Sequence, residues 1–237
     1  MSEFTSKNPK LIRDMFGTLA KKYDLANSVL SLGFHHLWKK KLVKKSGVQP
    51  GNQVLDCATG TGDLAFLFER ELKGSGQVIG TDFCLPMLEI ARKKAQEKKS
   101  KVQFKPADVM NLPYLDHTFD VASISFGIRN VQDPARALHE LGRVVKPGGR
   151  VLILEFGQPD TKIIKKIFNV YSNFILPKVG GWMSGQPQAY QYLQTSSAIF
   201  PCGASFLEMA KVSEFFSNCQ FFYIQFGIAY LYILERA

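Results

Sequence analysis

The sequence predicts an α/β fold: a mostly parallel sheet covered by helices on both faces and finished by an antiparallel hairpin. Three observations carry this. Between Gln53 and Phe156, short β-branched and aliphatic runs alternate with helical patterns. The first strand runs into a small-residue turn, Cys57 to Gly62, that opens a helix. The last stretch, Gln220 to Ile233, reads as two strands joined at Gly227. Strands and helices at this spacing imply right-handed crossovers and a sheet buried on both sides.

The elements follow in order. Residues 8 to 30 place Leu11, Ile12, Met15, Phe16, Leu19 and Tyr23 on a helical stripe ahead of the first strand. The repeat then reads strand Gln53 to Asp56, helix Asp63 to Leu72, strand Val78 to Asp82 and helix Pro86 to Glu97. It continues with strands Val102 to Phe104 and Asp120 to Phe126, helix Pro134 to Val145 and strand Val151 to Phe156. A Pro147-Gly148-Gly149 turn is expected to divide the last two. Residues 160 to 205 break the rhythm with a helix near Lys162 to Phe174, a Gly180-Gly181 break and the aromatics Trp182, Tyr190, Tyr192 and Phe200, which read as an inserted cap. The organisation expected is one domain: a helical lid over 1–50, a ligand-binding core over 51–157, the cap over 158–205, and a terminal helix and hairpin over 206–237.

Composition bounds the function. A length of 237 residues suits one sizeable core. With 46% apolar and 21% charged residues, the chain lies far from disordered or fibrous classes. Four scattered cysteines without a C-x-x-C pair, and no signal-like apolar run after Met1-Ser2-Glu3, point to the cytoplasm. Even the apolar run Phe221 to Leu234 is interrupted by Gln225 and Gly227, so no membrane crossing is expected. A formal charge of +10, clustered at Lys39-Lys40-Lys41, Lys44-Lys45, Arg92-Lys93-Lys94, Lys98-Lys99 and Lys162 to Lys166, favours polyanions or an anionic leaflet. Solvated helix faces explain the same clusters.

The turn after the first strand carries the first functional signal. In Val54-Leu55-Asp56-Cys57-Ala58-Thr59-Gly60-Thr61-Gly62-Asp63, the glycines let the backbone approach a ligand, and the free amides of the helix start face it. Asp82 closes the second strand, where a carboxylate can accept from two ribose hydroxyls. Gly60-x-Gly62-x-x-Ala65 also satisfies a dinucleotide fingerprint, which keeps a nicotinamide enzyme open. Three features favour S-adenosyl-L-methionine. Asp56 suits a cationic methionine moiety and would repel a pyrophosphate. Ala107-Asp108-Val109 can read an adenine edge, and the terminal hairpin is common in methyltransferase sheets.

The acceptor is read from the tip of the fourth strand. Asn111-Leu112-Pro113-Tyr114 nearly matches an amine-methylating segment but precedes that strand, so it reads as a turn. Pro201-Cys202 falls in the cap, and Cys202 is expected to be a buried small residue. After the strand, Ser125-Phe126-Gly127-Ile128-Arg129-Asn130-Val131 occupies the ligand crevice of an open α/β sheet. Arg129 can hold a phenolate oxygen, with Asn130 beside it; alternatively Arg129 pairs with Asp133 as turn scaffolding. His35 can serve as a base if the N-terminal segment folds over the crevice.

Phe126-Gly127-Ile128-Arg129-Asn130-Val131, Asp56-x-Ala58-x-Gly60-Thr61-Gly62-Asp63, Lys146-Pro147-Gly148-Gly149 and Leu154-Glu155-Phe156 resemble the demethylmenaquinone and ubiquinone C-methyltransferase family. Phe16-x-x-x-Ala20-x-x-Tyr23-Asp24-x-x-Asn27-x-x-x-Ser31-x-Gly33-x-His35-x-x-Trp38 is similar to its opening signature. Tyr171-Ser172, Leu176-Pro177, Tyr190-x-Tyr192-Leu193 and Phe200-Pro201 are similar to its cap. The chain departs from the pattern at Gln194-Thr195-Ser196 and near Ser213-Glu214-Phe215, which bear on the cap and the acceptor's tail.

The resemblance implies a Rossmann-like class I methyltransferase with a seven-stranded sheet, and cofactor contacts at Thr61, Asp82, Asp108, Val109 and Ser125. It implies ring C-methylation of a lipid-tailed quinol, demethylmenaquinol first and a ubiquinone-pathway benzoquinol as the alternative. It is compatible with peripheral contact at the inner membrane face and with a homo-oligomer. No metal or nucleic acid is expected. Another small-molecule or RNA methyltransferase, a dehydrogenase and a non-catalytic cofactor-binding regulator remain competing readings.

Overall fold

The structure, a computed structural model, describes residues 8–20, 23–159, 161–170 and 187–237. Three helices come first: α1 (Pro9–Leu19), α2 (Tyr23–Leu30) and α3 (Phe34–Ser46). The repeat follows as β1 (Gln53–Cys57), α4 (Asp63–Glu71), β2 (Gln77–Asp82), α5 (Leu85–Lys98), β3 (Gln103–Pro106), β4 (Phe119–Ser125), α6 (Pro134–Val144) and β5 (Val145–Phe156). Then come α7 (Lys162–Val170), α8 (Pro187–Ile199), α9 (Ala204–Lys211), β6 (Phe216–Ile224) and β7 (Ala229–Arg236).

The strands form one seven-stranded sheet in the order β3-β2-β1-β4-β5-β7-β6, parallel through β5, with β7 antiparallel to both of its neighbours. Strands β1, β2 and β4 are buried along nearly their whole length because helices cover both faces. One face packs Trp38, Leu42, Phe68, Leu88 and Phe104; the other packs Phe119, Ile124, Leu138, Phe206 and Tyr232. Since the chain order reverses between β1 and β4, their carboxyl ends open a crevice.

Several sequence expectations are corrected. The stripe over 8 to 30 falls on two helices, α1 and α2. The Pro147-Gly148-Gly149 segment lies inside β5: Val145 already pairs with Phe119, and a register shift between Phe119 and Val121 absorbs the turn residues. Gly149 is required there, because a Cβ would meet the Asp120 carbonyl oxygen at 2.6 Å. The third strand runs two residues further, to Pro106, and the hairpin strands are longer than read. The cap carries a second helix, α8, that its aromatic composition hid. Gly180-Gly181, Trp182, Tyr171-Ser172, Leu176-Pro177, the end of the helix expected to reach Phe174 and the Tyr190 side chain lie outside the described residues. Cys202 is half-buried rather than buried, against the core that includes Phe206 and Tyr232.

Candidate active site

The sequence builds the crevice from two tight turns. After β1, Ala58 takes a left-handed φ of 47°, and after β4, Phe126 takes 56°, conformations costing about 1–3 kcal/mol each that concentrate at functional sites. The turns touch: a Cβ on Gly127 would sit 2.6 Å from that of Ala58. Glycine therefore lets the β4 turn lie against the β1 loop, and the single 3-10 turn Ile128–Asn130 then presents Arg129 and Asn130 to the crevice.

Two adjoining cavities occupy this place. The smaller, about 100 Å³, is lined by Asp82, Phe83, Ala107, Asp108, Val109 and Gly127, among others. The larger, about 350 Å³, is lined mostly by apolar and aromatic groups, including Met15, Phe16, Trp38, Phe126, Phe156 and Ile228. Tyr23, Gly60, Ala58, Ser125 and Phe126 border both. The Tyr23 ring comes within 3.9 Å of the point a Gly60 Cβ would occupy. Gly60 thus leaves room at the junction, whereas Gly62 (φ 87°) serves packing, since its Cβ would strike Phe104 at 2.6 Å.

The carboxylates differ in their surroundings. Asp82 accepts from the amides of Gly60 and Cys84, each at 2.8 Å, and burial raises its pKa against those hydrogen bonds. Each oxygen retains a lone pair for a further donor. Asp56, 1% exposed, accepts from the hydroxyls of Thr59 (2.6 Å) and Ser123 (2.8 Å). Burial pushes its pKa up to about 6 despite those bonds. Asp108 is exposed and accepts from the Met110 amide, in the smaller cavity beside Val109.

Arg129 is buried, and its partner is Glu155, not Asp133. Asp133 instead caps α6 by accepting from the Arg136 amide, a role its place before Pro134 dictates. Asn130 is held by the cap, its Oδ1 accepting from the Tyr192 hydroxyl at 3.1 Å. The Ser125 hydroxyl and Arg129 Nε are buried with no hydrogen-bond partner among the described residues.

The N-terminal helices do fold over the crevice, and His35 lines the larger cavity. The Ser31 hydroxyl donates to the Asn27 carbonyl and lies 2.6 Å from His35 Nδ1, so Nδ1 carries the proton and Nε2 the lone pair. Burial and the nearby Lys39 charge lower the His35 pKa to about 4, making it neutral but weakly basic.

Two features escaped the sequence reading. Glu155 ends a strand as Asp56 and Asp82 do, so the rule that found those acids could have found it. The other is a charged network: Lys94 pairs with Asp24 and Asp63, and Lys39 pairs with Asp63. It joins residues distant in sequence, and no local pattern announces it.

These cavities fit S-adenosyl-L-methionine: two strand-end acids flank a loop with space at Gly60, and Ser125, whose hydroxyl has no partner among the described residues, lines both cavities. Among solved structures, the chain is similar to an S-adenosylmethionine-dependent methyltransferase from Thermotoga maritima (TM-score 0.63, 20% identity, 94% of this chain and 99% of that one). It is also similar to a phosphoethanolamine N-methyltransferase of Haemonchus contortus in complex with S-adenosyl-L-methionine (TM-score 0.61, 16% identity, 84% and 52%). The fold is that of the class I S-adenosylmethionine-dependent methyltransferases.

The model of the ubiE/COQ5 methyltransferase family matches residues 3–234. The chain is 54% identical over 227 residues to the ubiquinone/menaquinone biosynthesis C-methyltransferase UbiE of Bdellovibrio bacteriovorus, covering 96% of each. It is 40% identical over 223 residues to the protein of that name from Ruegeria sp., covering 93% of this chain and 88% of that one. The chain belongs to the ubiE/COQ5 methyltransferase family and is an S-adenosylmethionine-dependent C-methyltransferase.

Proposed function

We propose that the protein methylates a ring carbon of a prenylated quinol, with demethylmenaquinol as the acceptor. The observation that carries this reading is the apolar, aromatic-walled cavity of about 350 Å³ that meets the cofactor crevice at the tip of β4. Among the polar groups set into that mostly apolar wall, Ser125, Arg129 and His35 suit a flat aromatic ring with hydroxyls. The relatives' printed names include both ubiquinone and menaquinone biosynthesis, so a benzoquinol is the alternative acceptor.

Asp82 and Asp108 would hold the cofactor's adenosine, Asp56 and the Gly60–Gly62 turn its methionine part, and when bound it supplies an electrophilic methyl group on a sulfonium. The chain's own work is alignment and charge. Losing a hydroxyl proton places phenolate charge on the neighbouring ring carbon, and the Arg129 guanidinium can stabilise that oxygen by a charge-assisted hydrogen bond. Neutral His35 can accept the proton through Nε2, and Trp38, Phe126 and Phe156 keep water from the ring. Exposed Leu32 and Phe34 at the cavity's edge, with exposed Ile163, Lys165 and Lys166 on α7, support the lipid tail remaining against an anionic membrane surface. No helix among the described residues is long and apolar enough to cross a membrane.

The test is transfer of label from S-adenosylmethionine to demethylmenaquinol and to a prenylated benzoquinol. Turnover of the first supports the reading, and turnover of neither overturns it.

A further inference from the structure

We infer that Glu155 is a positioning residue, which sets the orientation in which Arg129 meets the acceptor's oxygen. The inference rests on the reading of Arg129 given above. Glu155, 1% exposed, stands near the end of β5 beside the β4 turn. Its Oε1 accepts from Arg129 Nη1 and from the Phe156 amide at 2.9 Å, and its Oε2 accepts from the Arg129 amide at 3.3 Å. Nη1 also donates to the Phe126 carbonyl at 2.8 Å. The guanidinium carbon lies 5.3 Å from the centre of the Phe156 ring.

A guanidinium is planar, so fixing one nitrogen against two acceptors and the plane beside a ring fixes the whole fork. Among the described residues, both hydrogen bonds of the guanidinium therefore run through Nη1, while Nε stays buried without a partner. A buried N–H left unpaired is costly unless a ligand completes it. Glu155 also cancels the buried charge, so the cavity presents a directed donor rather than a free cation. That arrangement suits one oxygen at one place, the hydroxyl or oxyanion of an aromatic ring, more than a diffuse anion.

The test compares Glu155→Asp, which keeps the charge and shortens the side chain by one methylene, with Glu155→Gln and Arg129→Ala. Short-chain demethylmenaquinol is the acceptor, and S-adenosylhomocysteine binding reports the fold. Glu155→Asp should lower kcat about 100-fold with KM and S-adenosylhomocysteine affinity unchanged, because a displacement on the order of 1 Å suffices for such a loss. In an Arg129→Ala background it should cost nothing further. Full kcat in Glu155→Asp with an impaired Arg129→Ala overturns the inference alone, and so do additive losses in the double variant. Full turnover in Arg129→Ala overturns the underlying reading. If both Glu155 variants also lose S-adenosylhomocysteine binding, the pair is scaffold and the inference fails.

Discussion

The Thr61 hydroxyl, in the loop after β1, donates to Asp24 Oδ1 at 2.5 Å, which ties lid helix α2 to the loop that lines the cofactor crevice. Lys94 of α5 reaches the same two residues and Asp63, and Asp63 reaches Lys39 of α3. Burial pushes the Asp63 pKa up, but the two lysines overcome it and hold that carboxyl below its usual range. The lid is therefore held over the loop by polar contacts as well as by the packing of Phe16 and Tyr23.

Asp24→Ala should loosen the lid more than the core. The expected stability loss is about 1 kcal/mol, since partly exposed ion pairs contribute little. Faster amide exchange confined to α2 and a raised KM for the acceptor are the measurements. Unchanged exchange in α2 would contradict the latch.

Gly60 and Gly62 should separate in their effects. Gly62→Ala combines a φ of 87° with a clash against Phe104, and should destabilise the fold by about 2 kcal/mol or more. Gly60→Ala meets only the Tyr23 ring, at van der Waals distance, and should cost about 1–2 kcal/mol from its φ of 58° alone. Its methyl group, however, enters the junction between the cavities, so S-adenosylhomocysteine affinity should fall more than stability does. Calorimetric titration beside thermal melts checks both.

Asp56 and His35 should give opposing pH dependences. The folded Asp56 pKa, about 6, is raised, so its contribution is full below the unfolded value near 4 and is lost as pH rises through 6. The folded His35 pKa, about 4, is lowered, so its contribution is present above the unfolded value near 6.5 and is lost as pH falls through 4. Each is of order 3 kcal/mol, and in the wild type they largely cancel. Between pH 4 and 6, Asp56→Asn should gain stability with rising pH relative to wild type, and His35→Gln should lose it. Denaturant melts across that range decide the matter; parallel curves would reject both assignments.

Membrane contact should depend on both an apolar and a basic component. Leu32→Asp and Ile163→Asp are expected to reduce co-sedimentation with vesicles, and Lys165→Glu with Lys166→Glu to reduce it for anionic vesicles in particular. Binding independent of anionic lipid content would remove the electrostatic half of the account.

The parallel sheet and the crevice were legible because they rest on local chemistry. Val54-Leu55-Asp56 and the glycine turn carry strand, turn and helix start in consecutive residues, and Asp82 follows the same rule. The lid was legible as helical but not as two helices, since the apolar stripe continues in sequence from Leu19, where α1 ends, to Tyr23, where α2 begins. Glu155 was missed as the partner of Arg129, with Asp133 offered only as an alternative, because Asp133 is near in sequence whereas Glu155 is near across the β4–β5 pairing. A ladder register, unlike a turn, leaves no signature within one segment.

The most direct test of the account is a crystal structure with S-adenosylhomocysteine. The ribose should lie against Asp82, the adenine beside Asp108 and Val109, and the sulfur at the junction by Gly60, facing the cavity that Arg129 lines. Adenosine bound away from Asp82, or the space beside Arg129 filled by the protein's own side chains, would contradict it.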